Sequence, residues 1–358
     1  MYEKFYNLTG PPFLLTPDPR FFFSSSNHKR AITHLVYGLD QREGFIVITG
    51  EVGAGKTMLV EQLWLQLNRN TYAVSKVVTT QVSGDDLLRL VMDGFGLNVV
   101  HGTEKSILLR RFEAMVREQR NTGRRCVLVV DEVQNLSFAA LEELRMLSNI
   151  TIDGQASVQT ILLGQPQFRP MLASRDAEQL RQRVLASFHL GPLSAVETRL
   201  YIEHRLKTVG WMGHPAWEDT AFAEVHRHTG GIPRRVNTLC SRVLQSGALD
   251  ETDTITADMV SEVATEMAEG LNGGTPVAFD GSGHEPAGFP PSGGGAAGFN
   301  GSVGSPAGFN GSGGGAAGSH GSGEIMRRIE ALEETSARQD RVFQRMIKLL
   351  ASVVEKRA

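Results

Sequence analysis

The chain is expected to fold as an α/β domain, a three-layer and mostly parallel sheet built around a phosphate-binding loop, with a small helical bundle behind it. Three observations predict this. An apolar, β-branched run, Gly44-Phe45-Ile46-Val47-Ile48-Thr49, leads directly into Gly50-Glu51-Val52-Gly53-Ala54-Gly55-Lys56-Thr57, which fits G-x-x-x-x-G-K-[ST]. Further short apolar runs then alternate with segments of helical periodicity, as in a sheet whose strands are joined by crossover helices. From Ser194 the pattern turns to helices alone.

The 358 residues allow two or three domains and a sizeable core. Hydrophobic residues at 41% and charged residues at 21% are ordinary for a soluble protein. A net charge of −3 makes no global case for a nucleic-acid binder, although it allows a local basic face. The two cysteines, Cys126 and Cys240, fall in an expected strand and an expected helix. They read as buried, reduced core residues, which suits the cytosol. Met1 to Phe5 lack the basic start of a signal peptide, and the longest apolar runs are too short to span a bilayer. Any membrane link is therefore expected to run through a partner.

Residues 1–43 form an aromatic, Pro-rich leading segment, with Phe5, Tyr6, Phe13 and Phe21-Phe22-Phe23. So many large apolar groups in Pro-broken chain predict irregular structure packed on a neighbour. A helix is expected over 28–39, with His28 or Tyr37 either covering a bound base or simply packing against the domain. In the loop, Gly50, Gly53 and Gly55 let successive N–H groups face one point, and the helix starting near Met58 adds its dipole. Lys56 is expected on the β/γ-phosphates and the Thr57 hydroxyl on Mg²⁺.

A second strand is expected over 74–79, and helices over 85–95 and 104–121. The latter carries Arg110, Arg111, Arg117 and Arg120, with Arg124 and Arg125 beyond its end. These interleave with Leu108, Leu109, Phe112 and Met115, as on a solvated helix face, with a nucleic-acid patch as the rival reading. Residues 126–132, Cys-Val-Leu-Val-Val-Asp-Glu, read as an apolar strand ending in two carboxylates. Ligands in such sheets bind at the carboxyl ends of strands. Asp131 is thus expected beside Thr57 and the metal, and Glu132 where it polarises an attacking water. A helix over 136–147 and a strand over 157–163 follow, the strand delivering Gln165 to the same edge. Residues 179–193 read as a helix end bearing Arg181 and Arg183, then a last strand. In all, residues 44–193 make the nucleotide-binding domain.

Residues 194–269 read as a lid of four helices, over 195–209, 219–228, 233–246 and 257–267. Gly230-Gly231-Ile232-Pro233-Arg234-Arg235 makes a turn with Pro at a helix start. Residues 270–323 are Gly/Ser-rich, with units opening at Pro286, Ala296, Pro306 and Ala316. Such chain cannot offset its ordering entropy and is expected to be a tether spanning on the order of 40 Å. Residues 324–358 return to an amphipathic helix. Ile325, Ile329, Leu332, Phe343, Met346, Leu350 and Val353 follow a heptad seam broken by Ser336 and Gln339, as in a coiled coil or a partner-docking helix.

With these motifs in place the chain resembles an AAA+ ATPase. Four stretches narrow the resemblance: YEKFYNLTGPPFLLTPDPRFFF, GFIVITGEVGAGKT, VLVVDEVQNLSFAALEELRMLSN and LRQRV…GGIPRRVNTLC. Over about residues 1–268 they are similar to general-secretion ATPases of the ExeA type, and more closely to the secretion ATPases found with exosortase (PEP-CTERM) and exopolysaccharide systems. The resemblance implies ATP and Mg²⁺ as cofactors, bound by the loop from Gly50 to Met58 with Thr57 and Asp131 on the metal. It implies Glu132 as catalytic base, Gln165 as sensor 1, Arg234 as sensor 2, and either Arg181 or Arg183 as an arginine finger reaching a neighbouring subunit. A homo-oligomer is implied, cytoplasmic or peripheral to the inner membrane, with protein partners in an envelope export or polysaccharide system. Two other functions compete: a DNA-associated regulator like the transposition ATPases, and an ATP-dependent scaffold that hardly turns over.

Overall fold

Around the loop, the chain runs strand, loop, helix in the order its periodicity requires. The computed structural model describes residues 2–66, 70–78, 83–100, 102–152 and 154–272. All belong to the first of the chain's two units, Met1–Thr275; the second is Pro276–Ala358. The expected repeat tether and heptad helix, within residues 273–358, lie outside the described residues.

The leading segment holds one helical turn, α1 (Tyr2–Phe5), and a 3-10 turn at Pro19–Phe21 before the first long helix, α2 (Ser26–Gln41). Ser25 caps α2, its hydroxyl accepting from the His28 N–H. The alternation then gives β1 (Phe45–Gly50), α3 (Lys56–Gln66), β2 (Tyr72–Val78), α4 (Gly84–Gly94), α5 (Lys105–Asn121) and β3 (Arg125–Asp131). After α6 (Phe138–Asn149) comes a small hairpin, β4 (Thr151–Ile152) with β5 (Gln155–Ala156). The sheet is completed by β6 (Val158–Gly164), α7 (Phe168–Ala173), α8 (Glu178–Arg181) and β7 (Val184–Leu190).

The five long strands pair in the order β2-β3-β6-β1-β7, all parallel. The inner strands β1 and β6 are buried along their whole length and β3 beyond its first residue, whereas the edge strands β2 and β7 alternate. That contrast is why the inner strands read as continuous apolar runs. Placing β6 between β1 and β3 sets the end of β6 midway between the glycine loop and the acidic strand end.

Three local expectations are corrected. The strand carrying the carboxylates stops at Asp131; Glu132 leaves it with φ 55° and ψ 40°, so the pair does not share one extended run. The helix bearing the arginine pair ends at Arg181, and Arg183 lies in the turn before β7, its N–H donating to the Leu180 carbonyl at 3.0 Å. The helix expected from residue 136 begins two residues later because Ser137 caps it, accepting from the Ala140 N–H at 3.1 Å.

The helical part comprises α9 (Ala195–Thr208), β8 (Ala216–Trp217), α10 (Asp219–Thr229), α11 (Pro233–Leu249), β9 (Thr254–Ile255) and α12 (Ala257–Asn272). Its core takes in the aromatic leader: Tyr2, Tyr6, Phe13 and Phe21 are buried with Ile202, Phe222 and Val243. The Tyr6 hydroxyl donates to the Thr252 carbonyl at 3.2 Å and the Thr9 N–H to Val209 at 2.9 Å. A separate core lies between α4, α5, α6 and the sheet. The leader thus crosses from the sheet side to the helical part and roofs the space between them. Glu197 locks the crossing, completing the α9 capping box with Ser194 while accepting from the Ser26 N–H at 2.8 Å.

Candidate nucleotide site

Gly50 closes β1, where a Cβ would come within 2.6 Å of the Leu190 carbonyl oxygen. Its role is therefore close approach of β7, and the curl expected of all three glycines falls to the other two. Gly53 and Gly55 have φ of 81° and 98°, a conformation that L side chains rarely adopt. At Gly53 a Cβ would lie 2.2 Å from the Cβ of Arg234, and at Gly55 one would lie 2.9 Å from His28 Nε2. The loop is thus pressed between the first turn of α11 and the start of α2. The Arg234 N–H donates to the Gly53 carbonyl at 3.2 Å, and Ala54 N–H to Glu51 at 3.1 Å.

Lys56, Thr57 and Met58 begin α3. Lys56 is buried, and its Nζ donates to the carbonyls of Gly50 at 2.8 Å and Glu51 at 3.1 Å. Burial pulls its pKa down, and the neighbouring carboxylates of Glu132, Asp131 and Glu51 offset only part of that. The Thr57 hydroxyl donates to Asp131 Oδ2 at 2.7 Å, while Asp131 Oδ1 accepts from the Glu132 N–H at 2.9 Å. A hydroxyl and a carboxylate meeting here are the hard oxygen donors that Mg²⁺ takes from protein when phosphates and water supply the rest.

Left-handed backbone at Glu132 turns its side chain toward the end of β6. There Gln165 Nε2 donates to Glu132 Oε2 at 2.9 Å, and Gln134 Nε2 donates to the same oxygen at 2.6 Å. Gln134 in turn accepts from the Gln165 N–H at 2.9 Å, closing a ring of three polar residues. Burial works to raise the Glu132 carboxyl, but the two amides and the charge of Lys56 outweigh it and hold the group below its ordinary value.

These residues open on a cavity of about 360 Å³. Lys56, Thr57, Glu132 and Arg234 line it, together with Leu14 to Asp18 and Phe21 to Phe23 of the leader and Tyr201, Arg205 and Asn237 from the helical part. Val52 and Met58 are on its wall. Of the two base-covering candidates, His28 lines the cavity, held by a 2.7 Å hydrogen bond between its Nδ1 and Ser25 Oγ. Tyr37 is exposed and takes no part in the lining.

Neither finger candidate lines this cavity. Arg181 is exposed and donates to the Ala173 carbonyl at 3.0 Å, and Arg183 donates to Ser148 Oγ at 3.3 Å. The arginines around α5 divide. Arg110, Arg111 and Arg117 are exposed, whereas Arg120 donates to Ile152 and Gln155 and Arg124 donates to the Tyr72 carbonyl. Cys126 and Cys240 are free and buried. Among the described residues no helix is long and apolar enough to cross a membrane.

Sequence reasoning missed Gln134 and the Tyr201–Arg205–Asn237 group. Gln134 stands in Asp-Glu-Val-Gln, but only the turn at Glu132 brings it back onto the carboxylate.

The family described as an AAA domain matches residues 39–172. Among solved structures, the chain superposes on Cdc6p from Pyrobaculum aerophilum with a TM-score of 0.57 and 16% identity, covering 73% of this chain and 75% of that one. The ORC2 protein of Aeropyrum pernix, solved as ADPNP–ADP complexes, gives 0.53 at 17% identity, covering 72% and 69%. The fold is that of a P-loop AAA+ domain. In sequence, the chain is 36% identical over 244 residues to General secretion pathway protein A of Aeromonas hydrophila, covering 68% of this chain and 44% of that protein. It therefore spans less than half the length of this curated relative.

Proposed function

We propose that the chain binds ATP with Mg²⁺ in this cavity and hydrolyses it to ADP and phosphate. The observation that carries the reading is the meeting of Thr57, Asp131, Glu132 and Gln165 directly beneath the glycine loop. Lys56 lies at the same place and would exchange its two carbonyl partners for phosphate oxygens. Thr57 and Asp131 would hold Mg²⁺, which supplies charge neutralisation at the phosphates when bound. Glu132, kept ionised by its amide partners, orients and polarises the attacking water, with Gln165 setting its direction. Arg234, tied through its backbone to Gly53, reports the γ-phosphate to the lid. Either Arg181 or Arg183, remote from its own subunit's cavity, serves the neighbour's in a homo-oligomer.

The turnover is proposed to drive a bacterial secretion system, of the kind found with exosortase and exopolysaccharide export, through protein partners at the inner membrane. The relative named as a general secretion pathway protein supports the secretion part of this reading. The ORC and Cdc6 structures share the fold alone and add nothing in favour of DNA. Lys56→Ala should abolish ATP binding in calorimetry, and parent turnover per subunit should rise with protein concentration, a rise that Arg181→Ala or Arg183→Ala flattens. Full ATP affinity in Lys56→Ala would overturn the site. A rate that is independent of concentration would remove the finger, and stimulation by DNA would replace the export reading.

A further inference from the structure

Arg205 is 4% exposed, yet among the described residues no carboxylate pairs with it. Burying a guanidinium without a counterion is costly, so its surroundings should show what the charge is kept for. Two nitrogens are engaged: Nη1 donates to the Tyr201 hydroxyl at 2.9 Å, and Nη2 to the Leu14 carbonyl at 3.4 Å. Its Nε is buried and without a hydrogen-bond partner. The cation lies over the rings of Phe21, at 4.7 Å, and Tyr201, at 5.6 Å. Asp18 of the neighbouring strap feels the Arg205 charge, which after Arg20 helps hold its carboxyl below the ordinary value, but its ion pair is with Arg20 at 2.6 Å.

The contacts have a direction. Leu14 and Phe21 belong to the leader, whereas Tyr201 and Arg205 sit one turn apart on α9. Asn237, on α11, repeats the pattern: its Oδ1 accepts from the Tyr201 hydroxyl at 2.8 Å, and its Nδ2 donates to the Leu14 carbonyl at 3.4 Å. Two lid helices therefore converge on one strap carbonyl. Leu14, Tyr201, Arg205 and Asn237 line the same cavity as Lys56 and Thr57, so with phosphates on the glycine loop the strap and lid lining is what remains for the base. Only a planar, multiply donating cation can hold a hydroxyl and a carbonyl while stacking on aromatic faces.

We propose that Arg205 is a positioning residue for the nucleotide base: it fastens the Leu14 strap to the lid and so preforms the base end of the cavity. This rests on the nucleotide reading of the cavity. Arg205 touches neither phosphates nor metal in this scheme; its effect passes through Leu14, Tyr201 and Asn237. Ligands with a base should therefore feel its loss, and the phosphate chain alone should not.

The test is calorimetric binding of ATP, ADP and inorganic tripolyphosphate to the full chain, with Arg205→Met, which keeps volume and removes the charge, and Tyr201→Phe. Arg205→Met should weaken ATP and ADP by about tenfold, the worth of a hydrogen bond to a charged group, and leave tripolyphosphate within about twofold. In steady-state assays KM for ATP should rise by about the same factor, with kcat changed less than about twofold. The nucleotide-free melting temperature should not fall, because an apolar replacement of an uncompensated buried charge is often neutral or stabilising. Should Arg205→Met fail to fold, Tyr201→Phe carries the same test, with a smaller loss for ATP and ADP and none for tripolyphosphate. Unchanged nucleotide affinity, or equal weakening of all three ligands, would overturn the inference. A parent protein that binds none of the three would instead overturn the nucleotide reading, and the inference with it.

Discussion

Gln134 and Glu132 stand two residues apart in the chain and meet at 2.6 Å, amide on carboxylate, because Glu132 takes a left-handed turn between them. With Gln165 on the same oxygen, the carboxylate is held in one orientation and kept charged. Its pKa lies below the ordinary value, so the contribution of the ionised form persists as pH falls and is lost only through that depressed value. Gln134→Ala removes one of the two amides. The acidic limb of the kcat/KM profile should then move to higher pH, and kcat at neutral pH should fall several-fold at most, since Gln165 remains. An unmoved acidic limb would mean that Gln134 does not tune the base.

Gly53 is where the loop and the lid touch. Gly53→Ala places a methyl group 2.2 Å from Arg234 Cβ on backbone with φ of 81°. The strain costs about 1–3 kcal/mol and is relieved by moving α11 away from the loop. Both the melting temperature and ATP affinity should drop, the latter tenfold or more because Arg234 moves as well. Equal stability and equal affinity in the variant would contradict this packing.

His28 supplies a pH dependence of a different kind. Burial lowers its pKa from 6.5 to about 4, so in the folded chain it stays neutral at pH 7. The unfolded imidazole takes up a proton near its ordinary value, so between about pH 6.5 and 4 the unfolded state binds more protons and stability falls with falling pH. Over that window the loss is about 3 kcal/mol. Urea midpoints measured at pH 7 and pH 4.5 should converge in His28→Gln relative to the parent. The same drop in both proteins would assign the acid sensitivity elsewhere.

The parts of the fold that were legible in the sequence are those fixed locally. Phe45 to Thr49 and Cys126 to Val130 had to be buried strands, since their side chains are apolar on both faces, and the glycine loop between strand and helix follows from its spacing. What escaped depends on backbone torsion or on contacts distant in sequence. Hydrophobic periodicity carries no sign of the left-handed step at Glu132, nor of Gln134 folding back. Two-residue strands such as Ala216–Trp217 are too short to leave a period. The aromatic leader was readable as packed chain, but its partners, Val209 and Thr252 among them, lie some 200 residues or more away. Nothing in the sequence around Arg205 marks it as buried; only the strap folded over it does.

The proposed hydrolysis turns on Glu132, one of the residues lining the cavity, activating the water while others hold the nucleotide. Glu132→Gln keeps the shape and the hydrogen bond to one amide but cannot polarise water. ATP affinity by calorimetry, together with phosphate release from the same purified sample, tests the claim most directly. Affinity should stay within a few-fold of the parent and turnover fall by a hundredfold or more, within the usual range for a lost general base. Phosphate release at the parental rate would contradict it.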